Sequence, residues 1–542
     1  MVDEHYPKEI IYNNEMLDRL EEGVKAVHDA VGRTMGPRGQ LVMYEANAES
    51  PYPTVTKDGV SVASMIAFRD EAKNNGSQFV IQAARKQVYE TGDGTTLTSI
   101  LTYKIFTEGR KLFAAGYSPS DLMSGIKEAV KDVVEYIKSI SKTDLDLDAL
   151  KDIARISTNN DVELADIIAE AVYKTGKHGL VTNQRSPHDR HEIEYQDGYQ
   201  LDIGIMDRIF CNVNELYLKF ENPYILITDQ NIVQFSTLHP ILEQIQAKHK
   251  EECVDGPIQF VLISPQVSAE VLAVMKRNIT DQEFQQFHMV HIRPSKDLKP
   301  AKNRMIFEDL AAITGGMFIS ESSGYQIDNL NLSQLGTCDS LISYPEKTMI
   351  NGFNAKTDER ILNLKARLEN AKTDHEKDLI EESIAKLDGG IAIIKVGGQN
   401  LSEQAETIFR VDDAVSACKS AQDMGYVRGG GVAMIEAQRK LDSKAKQNIG
   451  YRMLLEILSY PAEIILNNAN NKGHAGIINE LQLGNNGYYI NDTKIMGELD
   501  MYEMGIIDPT KVIVHALKNA ASSAISMLNT TVMIILYREE NE

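Results

Sequence analysis

Cysteine is scarce in this chain, with four residues among 542. None of them forms a CxxC pair, and no cysteine and histidine residues have the spacing of a zinc site. The sequence therefore predicts neither a disulfide scaffold nor a structural metal centre, and a reducing compartment fits best. The four positions are Cys211, Cys253, Cys338 and Cys418.

Long apolar runs are lacking as well. The longest, such as Thr531 to Tyr537, fall well short of the roughly 18 residues that a membrane-spanning helix needs. The charged start, MVDEHYPKEI, has no apolar segment of the signal-peptide kind. We expect a cytoplasmic protein that does not bind membranes.

Positive charge is outnumbered, because 56 lysines and arginines face 78 aspartates and glutamates, for a net charge of −22. Such a surface repels phosphate backbones, so nucleic acid is not an expected partner. At about 100 to 200 residues per domain, the length predicts about three or four domains rather than one compact core.

The predicted secondary structure changes along the chain, from mostly helical segments to segments in which strands and helices alternate. Apolar residues recur at steps of three and four from Leu17 to Val31, which predicts an amphipathic helix, and 68–90 reads as a second, longer one. From about 180 to 350, β-prone runs alternate with helical segments, and 359–386 reads as an antiparallel helical pair. Long helices then return, one of them capped by Asp508 with Pro509 in its first turn. We therefore expect a middle domain inserted into a domain made from both termini.

A glycine-rich break, Gly92-Asp93-Gly94-Thr95-Thr96, separates two predicted helices. Free backbone N–H groups and the dipole at a helix N-terminus favour an anion such as phosphate. A carboxylate beside bound phosphates is the usual way to recruit Mg²⁺. Taken alone, the same pentapeptide is more often a helix cap in a tight turn, and it is not a Walker A loop.

Four further motifs permit chemistry but have simpler explanations when each is taken alone. Thr34-Met35-Gly36-Pro37 is explained by a helix stop, and Lys57-Asp58-Gly59 by a hairpin turn. Asp412-Asp413 would supply a base for an attacking water, although acidic pairs on helices usually face solvent. Gly429-Gly430-Gly431 fits either a ligand or close helix packing.

In combination and in this order, the motifs resemble those of the GroEL-type (group I) chaperonins over nearly the whole chain. The stretches that carry the resemblance are TMGPRGQ (Thr34 to Gln40), TVTKDGVSVA (Thr54 to Ala63), GDGTT (Gly92 to Thr96), RVDDAV (Arg410 to Val415), GGGVAMI (Gly429 to Ile435) and GIIDPTKV (Gly505 to Val512).

The resemblance implies a multi-domain fold of α and α/β domains. A mostly helical equatorial ATPase domain (1–139 and 424–542) would be joined by a small α/β intermediate domain (140–196 and 392–423) to an α/β apical domain (197–391). Hinges would lie at Gly198 and at Gly389-Gly390. The family assembles into one or two rings, typically seven-membered, which capture non-native client proteins and promote their folding through ATP hydrolysis.

The resemblance also assigns roles to residues. Asp93 would ligate Mg²⁺, Asp58 would help to place the attacking water, and Asp413 would swing in as the catalytic carboxylate. Lys57 would lie at a potassium-binding edge. The nucleotide-binding residues would be Thr34, Met35, Gly36, Pro37, Lys57, Gly92, Asp93, Gly94, Thr95, Thr96, Gly430 and Asp508.

Clients would bind apolar faces of two apical helices that carry Leu238, Leu242, Leu272 and Met275. His239, Lys276 and Arg277 stand where the family usually keeps aliphatic residues, so client range and the use of a separate lid protein, the co-chaperonin, stay open. The alternative is that the stems of the two cations lie on the surface and preserve the groove.

Other departures mark a divergent group I protein of the kind that phages and mobile replicons encode. Arg428 precedes the three glycines, the Tyr489 to Lys494 stretch aligns loosely with the adenine-contacting segment, and the Gly/Met-rich tail is absent. One alternative from another class stays open: a ring-forming scaffold or holdase that uses ATP only as a conformational ligand. A small-molecule phosphotransferase that uses the GDGTT loop does not explain the apical segment and has no evident acceptor site.

Overall fold

The fold is described from a computed structural model. It describes 8–45, 54–158, 160–176, 179–196, 198–201, 203–205, 210, 217–252, 256–280, 286–293, 300–320, 324–344, 347–352, 356–371, 373–388, 391–398, 401–444, 448–471, 473–490 and 499–536. The predicted hinge Gly389-Gly390, Cys211, Cys253 and most of the Tyr489 to Lys494 stretch lie outside these residues.

Helices dominate the described residues. They are α1 (Asn13–Gly32), α2 (Gly59–Ser64), α3 (Glu71–Thr91), α4 (Thr95–Ala114), α5 (Pro119–Ser139), α6 (Leu147–Ser157), α7 (Val162–Thr175), α8 (His239–Glu251), α9 (Ala269–Thr280), α10 (Pro300–Thr314), α11 (Lys356–Asn370), α12 (Asp374–Asp388), α13 (Leu401–Met424), α14 (Val432–Leu441), α15 (Ile449–Ile457), α16 (Tyr460–Asn468), α17 (His474–Leu483) and α18 (Thr510–Asn529).

The strands are short and form several separate sheets. They are β1 (Lys8–Tyr12), β2 (Val42–Tyr44), β3 (Thr54–Thr56), β4 (Leu180–Arg185), β5 (Glu192–Gln196), β6 (Gly198–Leu201), β7 (Leu218–Glu221), β8 (Tyr224–Thr228), β9 (Ile258–Ile263), β10 (Phe287–Ile292), β11 (Phe318–Ile319), β12 (Ser340–Ser343), β13 (Thr348–Asn351), β14 (Ile391–Val396), β15 (Tyr426–Arg428), β16 (Ile507–Pro509) and β17 (Val532–Leu536).

The chain divides into two compact units. Unit 1 comprises Met1–Tyr173, Asn183–Glu192 and Lys395–Glu542, and unit 2 comprises Lys174–Thr182 and Ile193–Ile394. Unit 1 is thus built from both ends of the chain. Its further division into an equatorial and an intermediate domain stays a prediction.

Unit 1 is organised around a helical core. Helix α1 packs against α3 and α4, α18 packs against α3, α4 and α5, and α13 packs against α6. The predicted apolar stripe of α1 faces this core, because Leu20, Val24, Val27 and Val31 are fully buried. Two-stranded antiparallel sheets, β1–β17, β2–β3 and β15–β16, complete the unit.

Unit 2 contains the alternating strands and helices that the sequence predicts. Strands β10, β9, β8 and β11 form a parallel sheet in that order, and β6, β13, β12 and β7 form an antiparallel one. The predicted helical pair is α11 and α12, which pack against each other and against α10. Gly198, the predicted hinge, begins β6 and pairs with Asn351.

Two local predictions are wrong in detail. Lys57-Asp58-Gly59 is not a hairpin turn, because β2 already pairs with β3 and the run after Asp58 is helix α2. Asp508 does not cap α18: it lies in β16, and Pro509 takes the cap position. In both cases short runs of apolar and turn residues fit either secondary structure, and tertiary contacts decide.

Candidate nucleotide site

Four aspartates of unit 1 converge from four different elements. Asp58 follows β3, Asp93 lies between α3 and α4, Asp413 lies on α13, and Asp508 lies on β16. Each of the last three has its pKa raised by the charge of another member of the set. The fold therefore brings together the carboxylates that the sequence analysis singled out.

The loop that carries Asp93 requires glycine on both sides. Gly92 ends α3 with φ +71° and Gly94 precedes α4 with φ +88°, both in the left-handed region that glycine adopts without strain. A Cβ at Gly94 would lie 2.5 Å from Val512 Cγ1. We call Gly92, Asp93 and Gly94 the Asp93 loop. It directs the free N–H groups of α4 toward any anion bound there.

A second helix N-terminus lies against the first. A Cβ at Gly59, the first residue of α2, would lie 2.7 Å from the hydroxyl oxygens of both Thr95 and Thr96. Asp58 caps α2, because its carboxylate accepts from the N–H groups of Val60 at 3.2 Å and Ser61 at 2.8 Å. The donors at the start of α2 are therefore occupied by Asp58, whereas α4 has no side-chain cap and its N-terminal N–H groups suit a phosphate.

The segment after α1 adjoins the same hydroxyls. Thr34 Oγ1 donates to the carbonyl of Val31 at 2.8 Å and lies 3.5 Å from Thr96 Oγ1. Asn468 Nδ2 donates to the carbonyl of Met35 at 2.9 Å. Gly36 follows with φ +82°.

Two predicted residues lie at the margin of this region. Pro37 is exposed, directly after Gly36, and Lys57 is partly exposed, directly before Asp58.

Gly430 and Asp508 meet through a strand pair. Val427 of β15 faces Asp508 of β16 in the ladder, and the N–H of Gly430 donates to the Asp508 carboxylate. Gly430 has φ +64°, and its carbonyl accepts from the buried Tyr488 hydroxyl at 2.9 Å. The predicted adenosine and ribose residues are therefore neighbours.

Electrostatics in this cluster disfavours uncompensated negative charge. Burial raises the pKa of Asp413 well above its ordinary value, and the charges of Asp93 and Asp58 raise it further. Burial, then the charge of Asp93, raises the pKa of Asp508 to about 6. Burial and the charge of Asp58 also raise the pKa of Asp93. A cation bound here would offset these costs.

The donor set fits a nucleotide with Mg²⁺ better than a cation held by protein alone. Within the described ranges, no three or more His, Cys, Asp or Glu side chains form a metal-holding group. Mg²⁺ in nucleotide sites commonly takes one or two carboxylates and completes its shell with phosphate oxygens and water. Asp93, beside the N-terminus of α4, satisfies that requirement.

The sequence analysis did not identify the polar side chains that pack behind the candidate site and form hydrogen bonds there. Gln87 lies fully buried beneath the Asp93 loop, and nothing in its sequence context separates it from an exposed glutamine on a helix. Arg428, noted only as a departure, pairs with Asp500 through both oxygens at 3.0 and 2.8 Å and with Glu436 at 3.2 Å. A lone arginine before glycines gives no signal of such partners.

Three of the four predicted client-binding residues are buried in unit 2. Leu238, Leu242 and Met275 are 0%, 5% and 0% exposed, because the apolar stripes of their helical segments face the core of unit 2. Leu272 is partly exposed. In this conformation the three buried side chains offer no surface to a client.

A family model, that of the TCP-1/cpn60 chaperonin family, matches residues 27–537. The chain belongs to the TCP-1/cpn60 chaperonin family. The chaperonin family that the sequence motifs predict for this chain is thereby confirmed.

Solved chaperonin structures show the same fold over the full chain. The chaperonin gp146 from bacteriophage EL 2 (Pseudomonas aeruginosa), crystallised in the presence of ATP-BeFx, matches in crystal form II with a TM-score of 0.75 at 19% identity. That match covers 98% of this chain and 99% of the other. Crystal form I matches with a TM-score of 0.67 at 20% identity, over 98% and 99% of the two chains. The chain has a full-length chaperonin fold, mostly helical with mixed sheets.

One further property concerns membranes. Among the described residues, no helix combines the length and the apolar composition needed to cross a bilayer.

Proposed function

We propose that this chaperonin is an ATP-driven protein-folding machine that assembles into rings and hydrolyses ATP at the cluster of four aspartates. The observation that carries the proposal is the convergence of Asp58, Asp93, Asp413 and Asp508 on the N-terminus of α4. The family, and the relative crystallised in the presence of ATP-BeFx, support the same assignment.

Different groups of the chain have different proposed roles in binding the nucleotide. The N–H groups at the start of α4, with Thr95 and Thr96, bind phosphate oxygens, and Gly430 with Asp508 holds the nucleoside. Mg²⁺, held by Asp93 when bound with the nucleotide, would neutralise phosphate charge. Lys57 is the proposed edge for a potassium ion.

Asp413 is the proposed general base. Burial and its acidic neighbours raise its pKa well above the ordinary value, which makes this carboxylate a stronger base than an aspartate in water. Asp58, held in place by the two N–H groups at the start of α2, orients the attacking water. The proton released by the water passes to the Asp413 carboxylate.

Ring assembly has support in unit 1. In the β1–β17 sheet, Ile11, Met533 and Ile535 face the core, while the opposite face exposes apolar side chains. In the part of the chain that the structure describes, no further strand pairs with β1 or β17, and an exposed apolar sheet of this kind favours association. Within the family, the expected partner is a second copy of the chain. The exposed side chains of this face are Ile10, Tyr12, Val532, Ile534 and Leu536.

Capture of non-native proteins rests on the family assignment, with a diluted apical surface. His239 and Arg277 are exposed and Lys276 is partly exposed, whereas Leu238, Leu242 and Met275 are buried. We therefore propose a restricted client range and leave the lid partner to experiment.

A matched pair of variants tests the catalytic assignment. Asp413→Ala should lower ATP turnover about 100-fold or more, because general bases typically contribute that much, while nucleotide binding is retained. Asp412→Ala is the control: the neighbouring aspartate is exposed and contacts Asn183. It should keep wild-type turnover.

The outcomes also separate the alternatives. Wild-type turnover in Asp413→Ala would remove this residue from catalysis. A wild-type protein that binds ATP and forms rings but does not hydrolyse ATP would be a holdase or scaffold that uses ATP as a conformational ligand.

A further inference from the structure

A buried polar network lies directly behind the Asp93 loop. Gln87, on α3, is 0% exposed, and the two N–H groups of its Nε2 are shared among three acceptors: Thr91 Oγ1 at 2.8 Å, the Asp93 carbonyl at 3.0 Å and the Val512 carbonyl at 3.1 Å. These acceptors belong to α3, to the loop and to the first turn of α18. One amide group therefore joins three elements at the back of the site.

The orientation of the Gln87 amide is fixed by its surroundings. Its Oε1 accepts from Asn519 Nδ2 at 3.1 Å, and that nitrogen also donates to Glu90 Oε2 at 2.9 Å. Glu90 Oε2 in turn lies 2.8 Å from His515 Nδ1. A flipped amide would place oxygen against two carbonyls, so Nε2 must face the loop.

The hydrogen bond to the Asp93 carbonyl determines where the next N–H points. The carbonyl of Asp93 and the N–H of Gly94 belong to one planar trans peptide and point in opposite directions. Because Gln87 Nε2 and Thr91 Oγ1 hold the carbonyl inward, at 3.0 and 2.8 Å, the Gly94 N–H faces away from them. There it donates to Asp93 Oδ1 at 2.5 Å.

We propose that Gln87 is a positioning residue that aims the Gly94 N–H and the Asp93 carboxylate at a phosphate and its metal ion. The proposal rests on the proposed nucleotide site. Without nucleotide, the Asp93 carboxylate occupies the Gly94 donor; a phosphate oxygen takes that donor over and leaves the carboxylate to the metal.

Gln87 is not required to satisfy the groups that it contacts. The Asp93 carbonyl keeps its bond from Thr91 Oγ1, and a carbonyl in the first turn of α18 accepts from the helix itself. Asn519 keeps its bond to Glu90. A variant without the amide should therefore fold, while the Asp93 carbonyl is held in its orientation by one donor, Thr91 Oγ1, instead of two.

The test compares Gln87→Met with Gln404→Met. Methionine preserves length and apolar volume without a donor. Gln404 is a matched control, because it is 6% exposed and its Nε2 donates to the carbonyls of Ser186 at 2.9 Å and Val396 at 2.7 Å. Calorimetry measures ADP binding at a series of Mg²⁺ concentrations, so no ATP hydrolysis is involved. Thermal denaturation of each variant without nucleotide measures its stability separately.

Gln87→Met should raise the Mg²⁺ concentration for half-saturation about tenfold, as losing a partner behind a metal ligand commonly does. Gln404→Met should leave that concentration unchanged, whatever its effect on stability. An unchanged value in Gln87→Met, or an equal rise in both variants, would overturn the proposal.

Two safeguards keep the test decisive. If Gln87→Met does not fold, Thr91→Val removes the second donor to the Asp93 carbonyl and should raise the Mg²⁺ requirement, while Thr91→Ser should restore it. Equal values for these two variants would count against the proposal. If the wild-type protein itself does not bind ADP with Mg²⁺, the proposed nucleotide site fails and this inference fails with it.

Discussion

Replacing Asp508 by asparagine should make the nucleotide-free protein more stable at neutral pH. Burial, then the charge of Asp93, raises the pKa of Asp508 to about 6 from an ordinary value of 3.8. At about 1.4 kcal/mol per pKa unit, a charged carboxylate at this position costs the folded protein up to about 3 kcal/mol. Asparagine keeps an oxygen that can accept from the Gly430 N–H and carries no charge.

The sign of the pH dependence follows from the raised pKa. Above about pH 6 the carboxylate is charged in both states, and only the folded state bears the cost. As the pH falls from 6 toward 3.8, the folded protein binds a proton before the unfolded chain does, so the wild type regains stability. The advantage of Asp508→Asn should therefore be largest above about pH 7 and shrink steadily at lower pH.

The assay is chemical denaturation of both proteins between about pH 5 and 8, without nucleotide or divalent cations and at one protein concentration, because assembly shifts apparent stability. Asp412→Asn, at the exposed neighbour of Asp413, is the control and should show no such advantage. A variant that is less stable than wild type at neutral pH, or an advantage that does not change with pH, would refute the reasoning.

Two further predictions concern packing around the site. Gly94→Ala should abolish nucleotide binding and lower the free energy of unfolding by about 1 to 3 kcal/mol, because a Cβ would lie 2.5 Å from Val512 Cγ1. The control is Gly116→Ala, which has nearly the same φ, +89°, but no atom within 4 Å of the added Cβ. It should show only the cost of the backbone conformation. Equal losses in thermal denaturation would count against tight packing of the loop. Arg428→Met should cost about 1 to 3 kcal/mol in urea denaturation, because it removes the cation that the partly buried Asp500 and Glu436 share and leaves each with a neutral donor, the Tyr502 N–H and the Tyr136 hydroxyl respectively. Arg452→Met, whose partner Glu456 is 62% exposed, should cost under about 1 kcal/mol. Similar losses would contradict the role given to Arg428.

Periodicity and glycine placement made much of unit 1 predictable. The steps of three and four from Leu17 to Val31 predict α1 because a helix buries one face, and the structure confirms it. The break at the Asp93 loop was predictable because two glycines flanking a polar residue cannot continue a helix without cost.

The sequence predicts an apolar stripe but not what the stripe faces. Leu238, Leu242 and Met275 have the spacing of a binding face, yet they pack into the core of unit 2. A helix that buries one face against its own domain and a helix that presents that face to a partner have the same apolar period.

Convergence in space was beyond sequence reasoning. The letters of Asp58-Gly59 suit a turn and a helix cap equally, and only the contact of Gly59 with Thr95 and Thr96 decides. Gln87 acquires its role from Val512, 425 positions away in the chain, and Arg428 acquires its role from Asp500, 72 positions away. The family resemblance suggested the ligand roles, whereas the buried groups packed behind those residues, such as Gln87, can be identified only from the fold.

Electron microscopy of the purified protein, without nucleotide and then with ATP, tests the central claim most directly. The account predicts rings whose apical ends move when ATP is added, and an Asp413→Ala protein that forms the same rings and holds the ATP-bound arrangement for longer. Closure without an added partner would show that no separate lid protein is needed. Particles that form no rings, or rings that do not respond to ATP, would contradict the claim of an ATP-driven folding chamber.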